Sequence, residues 1–232
     1  MRNRIIALNN AYSLAVIPDT AYAPDPLPQD TSFALLLPRP HRIARAEKIL
    51  RNPCYAAGVV GTFSRPFVLQ TADCVPCVAY EQHGSRSGLA HFGYRDLLAG
   101  VPQRFIRTLG EGVKNLNTFR FIFGPSICTS CYTHESFLRR MKWYFLRYAA
   151  SYGTFARIND SGSHMFDLTA ACIRDFERAG VQRTQIDFMP ECTHCTLGNS
   201  FHYRGKETAK VTTIVGPHHA VSAVALQAAK WR

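Results

Sequence analysis

The chain has 232 residues, 47% of them hydrophobic and 12% aromatic, and its 27 Lys and Arg against 16 Asp and Glu give a formal net charge of +11. That apolar content can offset the entropy of ordering a compact core and excludes wholesale disorder, and the length suits one domain. No uninterrupted apolar run approaches the roughly 20 residues needed to cross a bilayer. The basic excess favours anionic partners, phosphate and nucleotides among them. Basic residues are spread from Arg2 to Arg232 rather than gathered into a tail, so nucleic acid is not indicated.

Taken in chain order, residues 1–40 read as irregular, because Pro18, Pro24, Pro26, Pro28, Pro38 and Pro40 each remove an amide donor and fix the local backbone. Extended segments hugging the surface are expected there. Arg2 and Arg4 before Ile5 to Ile17, with Ala21-Tyr22-Ala23 beyond, imitate an export signal, but Asn9, Asn10 and Asp19 interrupt it. A cytoplasmic location is the expectation.

From Pro66 the pattern becomes regular. Phe67 to Gln70, Val75 to Tyr80 and Leu89 to Phe92 are short apolar runs that predict strands of a buried sheet, with His83-Gly84-Ser85 as the turn between the last two. Leu97, Leu98, Val101, Phe105, Ile106 and Leu109 recur at helical spacing and predict one helix of about four turns, stopped by Gly110 and Gly112. Phe119 to Phe123 predicts a strand and Phe137 to Tyr148 a helix dense in aromatic and basic residues. Asp167 can cap a helix whose Leu168, Cys172, Ile173 and Phe176 share a face, closed by Gly180. Ile186 to Met189 and Val211 to Val215 complete the strands. Strands and helices alternate only loosely, which argues for a single α/β domain, a mixed β-sheet flanked by helices, rather than a barrel or a Rossmann unit. Neither a Gly-x-Gly-x-x-Gly nor a Walker loop is present.

The chemistry concentrates in Thr71-Ala72-Asp73-Cys74-Val75-Pro76 and Ala90-His91-Phe92-Gly93-Tyr94-Arg95. Cys74 at one strand end and His91 at the end of a neighbouring strand would be carried to the same sheet edge by a tight meander. A thiolate and an imidazole placed so can bind zinc or pair as nucleophile and base.

Thr-Ala-Asp-Cys-x-Pro followed by Ala-His-x-Gly-aromatic-Arg resembles the laccase-domain family, formerly labelled multicopper polyphenol oxidases and now understood as zinc-dependent purine nucleoside phosphorylases with adenosine deaminase activity. Further motifs follow in the family's order: Leu97 to Val101, Gly124-Pro125-Ser126-Ile127 with Cys131-Tyr132, Phe166-Asp167-Leu168, Ala179-Gly180-Val181, Cys192-Thr193 and Phe201-His202-Tyr203-Arg204. The likeness spans roughly residues 55–216 and implies a family core over 41–216, with a fold shared by glutamine-deamidating toxins. It implies zinc held by Cys74, His91 and an upstream histidine, for which His41 is the candidate, with the fourth position open. Copper is the lesser alternative. It also implies that purine nucleoside and inorganic phosphate are the partners. By charge and position, Arg95 can offer phosphate a guanidinium fork, Asp73 beside Cys74 can orient groups or shuttle a proton, and Arg204 can be either a second anion contact or one side of a surface salt bridge.

Three features depart from the family pattern. Its N-terminal Thr-Arg-x-Gly-Gly-x-Ser and Asn-Leu segments have no counterpart in residues 1–40, Tyr94-Arg95-Asp96 replaces Trp-Arg-Gly, and Gly58 stands where an Asp is usual. A thiol hydrolase or deamidase using Cys74 and His91, or a zinc-binding member without activity, is therefore the alternative. Cys128-Thr129-Ser130-Cys131 and Cys192-Thr193-His194-Cys195 have the spacing of a four-thiolate zinc module of nucleic-acid-binding type. The intervening sixty residues read as a helical pair rather than a compact ribbon, so these cysteines are expected at strand ends near the pocket.

Overall fold

The computed structural model describes residues 4–20, 33–38, 42–49, 52–113, 115–134, 156–158, 160, 162–198, 200–204 and 210–228. Among them are fifteen strands: β1 (Arg4–Ala7), β2 (Tyr12–Thr20), β3 (Ala34–Leu37), β4 (Ile43–Arg45), β5 (Cys54–Tyr55), β6 (Gly58–Thr62), β7 (Phe67–Thr71), β8 (Val75–Glu81), β9 (Arg86–Phe92), β10 (Phe119–Phe123), β11 (Thr133–His134), β12 (Ala156–Ile158), β13 (His164–Phe166), β14 (Ile186–Phe188) and β15 (Lys210–Pro217). The helices are α1 (Tyr94–Leu98), α2 (Val101–Gly110), α3 (Leu168–Arg178), α4 (Phe201–Arg204) and α5 (His218–Ala228). None is long and apolar enough to cross a membrane.

The α/β class holds, but the single expected sheet is two. One runs β1-β2-β15-β7-β3-β5 and the other β14-β10-β8-β9-β6-β4, with a small sheet β11-β13-β12 beside them. Side chains at alternate strand positions point to opposite faces, and both large sheets are apolar on both. Tyr12, Leu14, Val16, Leu36, Phe67, Leu69 and Val215 of the first sheet meet Val59, Val78 and Leu89 of the second, so the sheets pack face to face. Helix α5 covers the far side of the first sheet through Val221, Val224 and Ala225. Helices α1, α2 and α3 cover the far side of the second, where Leu97, Phe105, Leu109, Cys172 and Phe176 meet Phe92, Phe119, Phe121 and Phe123.

The N-terminal expectation is corrected. Instead of an irregular segment, β2 lies inside the first sheet with Tyr12 to Ile17 buried, paired antiparallel with β15, and β3 pairs parallel with β7. Pro18 is accommodated because the β2–β15 register shifts between Lys210 and Thr212, where its missing donor leaves no ladder position unfilled. The expected four-turn helix is also two helices: Gly100 adopts φ 68° between α1 and α2, a left-handed conformation that ends the first and lets the second start afresh. The departure at Gly58 has a packing reason, since a Cβ there would meet Ala90 Cβ at 3.0 Å and Phe105 Cδ2 at 3.2 Å. The strand, turn and helix readings from Phe67 to Tyr80, at Leu89 to Phe92, and at Asp167 to Gly180 agree with β7, β8, β9 and α3. The predicted helix from Phe137 to Tyr148 lies outside the described residues.

Candidate functional site

Strands β8 and β9 form a hairpin with Val75 opposite Phe92 and Pro76 opposite His91. Cys74, directly before β8, therefore comes to the strand end occupied by His91 and Gly93, as the meander reading requires. A Cβ on Gly93 would lie 2.8 Å from Cys74 Sγ and 3.4 Å from His91 Cε1, so the space left by the missing side chain is where thiol and imidazole meet.

The imidazole is oriented from below. His91 Nδ1 and Asp96 Oδ2 are 2.8 Å apart, and the same carboxylate oxygen accepts a 2.9 Å hydrogen bond from the Gly93 amide, capping α1. With Nδ1 committed to Asp96, Nε2 is left for Cys74 or for a metal, the support that carboxylates give to metal-ligating histidines. Burial works against protonation of the ring, but the charge of Cys74 and the hydrogen bonds to Asp96 and Cys74 outweigh it and raise the His91 pKa to about 10. A metal ion held by these two residues would take the place of that proton. The donor chemistry, one thiol and one supported imidazole over a gap only glycine leaves open, fits a zinc ion, and these two residues could hold it. His41 lies outside the described residues.

Asp73 has φ 92°, a left-handed value that Asp tolerates better than most residues. Its buried carboxylate accepts three hydrogen bonds: from Thr193 Oγ1 at 2.7 Å to Oδ1, and from Ser200 Oγ at 3.1 Å and the His202 amide at 2.7 Å to Oδ2. Its carbonyl accepts from the Ile127 amide at 3.0 Å. Asp73 thus binds the turn carrying Cys74 to two segments far along the chain. Arg95 is exposed in the first turn of α1, its Nε donating to Tyr94 Oη at 3.1 Å; among the described residues no carboxylate pairs with it. Arg204 is the last residue of α4, a helix that starts directly after Ser200, whose hydroxyl donates to Asp73.

A second cluster was not expected in this form. The side-chain sulfurs of Cys128, Cys131, Cys192 and Cys195 lie within 4.8 Å of one another and could hold a metal ion. The two Cys-x-x-Cys segments come together because Ser126 and Cys192 form a parallel bridge and the Thr193 amide donates to Ser126 O at 3.1 Å. The expectation that a sixty-residue spacer keeps these cysteines out of one site is corrected: spacer length is irrelevant once two loops meet by tertiary packing. Burial opposes ionisation of Cys128, but hydrogen bonds from Ser130, Cys192 and Cys131 outweigh it and lower its pKa to about 7, while burial and the neighbouring thiols raise that of Cys131. Beside this cluster a groove of about 300 Å³ runs past Ser126, Asp167, Ile173 and Phe188; neither Cys74 nor His91 lines it.

Sequence assigned Asp96, Thr193 and Ser200 no site role. Asp96 had a local signal, an acid five residues after the histidine at a helix start, and Thr193 stood in the Cys192-Thr193 motif; Ser200 had none.

A laccase-like α/β domain with a Cys and His pair at one sheet edge is the class these features define. The chain matches the family described as multi-copper polyphenol oxidoreductase laccase over residues 45–217 and belongs to it. Its fold is similar to that of a hypothetical protein, YfiH, from Bacillus licheniformis, with 20% identity and a TM-score of 0.69 over 80% of this chain and 74% of that one. YlmD from Geobacillus stearothermophilus is similar at 21% identity and a TM-score of 0.64, over 77% of this chain and 70% of that one. The Neisseria meningitidis protein NMB0706 gives 21% identity and a TM-score of 0.66, over 80% and 74%. No curated protein matches the chain significantly.

Proposed function

We propose that the chain is a zinc-dependent purine nucleoside phosphorylase acting on adenosine- or inosine-type nucleosides, with adenosine deamination as a second capacity. The observation that carries this reading is the meeting of Cys74 and His91 over Gly93, with His91 Nδ1 held by Asp96 and the ring hydrogen-bonded to Cys74, the other donor of the pair. Cys74, His91 and His41 would hold the zinc. When bound, it supplies Lewis acidity toward oxygen at neutral pH. Arg95, exposed and without a carboxylate partner among the described residues, offers a guanidinium fork to phosphate, and Arg204 offers a second cation. A phosphate oxygen then forms a bond to the ribose anomeric carbon as the glycosidic bond breaks, its electron pair and a proton going to the purine. Asp73 acts by position, holding the turn that presents Cys74. The free thiols suit a reducing, cytoplasmic setting.

One observation favours a second reading. Cys74, His91 and Asp96 also stand in the order of nucleophile, base and orienting carboxylate, as a thiol hydrolase or deamidase requires. Copper, suggested by the family's descriptive name, is the other metal a thiolate and imidazole can take.

Incubation of the protein with adenosine and inorganic phosphate, with and without a strong zinc chelator, and chromatographic resolution of adenine, inosine, hypoxanthine and ribose 1-phosphate tests the proposal. Chelator-sensitive release of base or inosine, absent in Cys74→Ser, is the expected result. No turnover by zinc-loaded protein would overturn it, and activity that survives chelation but not alkylation would establish the thiol mechanism.

A further inference from the structure

We propose that Cys128, Cys131, Cys192 and Cys195 bind a structural zinc ion that staples the two loops on which Asp73, and through it Cys74, is hung. This site is independent of the Cys74 and His91 centre and does not rest on the nucleoside reading.

Four features carry the inference. All four sulfurs lie within 4.8 Å of one another, whereas a tetrahedron with Zn–S of about 2.3 Å has edges of roughly 3.8 Å, so closure asks for shifts of about 1 Å or less. Each pair sits on a tight turn, with the Cys131 amide donating to Cys128 O at 3.1 Å and the Thr196 amide to Cys192 O at 3.1 Å. The Cys192 sulfur accepts hydrogen bonds from the Cys128 amide at 3.3 Å and the His194 amide at 3.4 Å, which stabilise charge on a thiolate. Finally, the surroundings are built: Thr129 Oγ1 donates to Asp167 Oδ2 at 2.8 Å, and Tyr203 Oη donates to Cys131 O at 2.7 Å while its ring stacks on His194.

The staple has a defined load. One loop supplies the Ile127 amide to the Asp73 carbonyl; the other supplies Thr193 Oγ1 to its carboxylate, which also accepts from Ser200 Oγ and from the His202 amide in α4. Joining the loops by metal fixes those donors together and keeps Asp73 in its left-handed conformation. Binding releases the thiol protons and involves no redox step.

The test is metal analysis of the full-length protein without a polyhistidine tag. The double variant Cys74→Ser/His91→Ala is expected to retain about one zinc per chain, and its cobalt-substituted form to show the intense sulfur-to-metal charge-transfer bands of thiolate ligation. Adding Cys128→Ser and Cys192→Ser is expected to remove both. Should that variant fail to fold, thiol alkylation decides with the loops intact: Cys128, Cys131, Cys192 and Cys195 are expected to be protected until zinc is chelated. A metal-free Cys74→Ser/His91→Ala protein, thiols alkylated at equal rates with and without chelator, or the four cysteines found as disulfides would overturn the proposal. Failure of the nucleoside reading looks different: no phosphorolysis, with the thiolate-bound zinc still present.

Discussion

Asp96 Oδ2 lies 2.8 Å from His91 Nδ1 while accepting the Gly93 amide at 2.9 Å, so one buried carboxylate oxygen both starts α1 and aims the imidazole beside Cys74. Its partner oxygen, Oδ1, is buried without a hydrogen bond, which leaves the group held from one side only. Asp96→Asn preserves the shape and removes the charge. Zinc affinity at the Cys74 and His91 centre is expected to fall about 10- to 100-fold, measured by competition with a chromogenic chelator. Unchanged affinity would reduce Asp96 to a helix cap.

Gly93→Ala tests the gap itself. The Gly93 backbone, at φ −99° and ψ 177°, accepts any residue, so the effect comes from a Cβ placed 2.8 Å from Cys74 Sγ and 3.4 Å from His91 Cε1. Stability is expected to fall by about 1–3 kcal/mol from overpacking, with loss of metal from this centre as the thiol is pushed aside. Urea unfolding and metal content measure the two effects separately.

Thr193→Val removes the donor to Asp73 Oδ1 across 120 residues of chain. A buried carboxylate oxygen left without that partner costs about 1–3 kcal/mol, read as a lower urea midpoint at unchanged slope. Thr193→Ser keeps the hydroxyl and is expected to restore most of the loss; equal destabilisation by Val and Ser would assign the effect to packing.

Phe176 organises the core behind the site. Its ring meets Phe92, Phe121 and Phe123 edge-on at centroid distances of 5.7, 5.2 and 5.1 Å. Phe176→Ala is expected to cost about 3–5 kcal/mol, and Phe176→Leu clearly less, by denaturant titration. Because α3 and β9 share this cluster, the Ala variant is also expected to loosen metal binding at His91.

Local pattern and tertiary contact divide the molecule between them. The hairpin of β8 and β9, the place of Cys74 and His91 at its open end and the capped helix after Asp167 were all legible in sequence. Each depends on alternation, helical spacing or a turn within a few residues, which are properties of the chain itself. The N-terminal strands were not legible, because Pro18 disqualifies a strand unless the pairing is bulged at it, and that pairing is with β15, nearly two hundred residues away. The break at Gly100 is hidden in the sequence because the apolar spacing continues through it. Asp73 as a hub and the convergence of the four cysteines were decided only in three dimensions. Their partners sit on loops roughly sixty or more residues apart in sequence, brought together by the pairing of Ser126 with Cys192, and no periodicity along the chain encodes such a meeting.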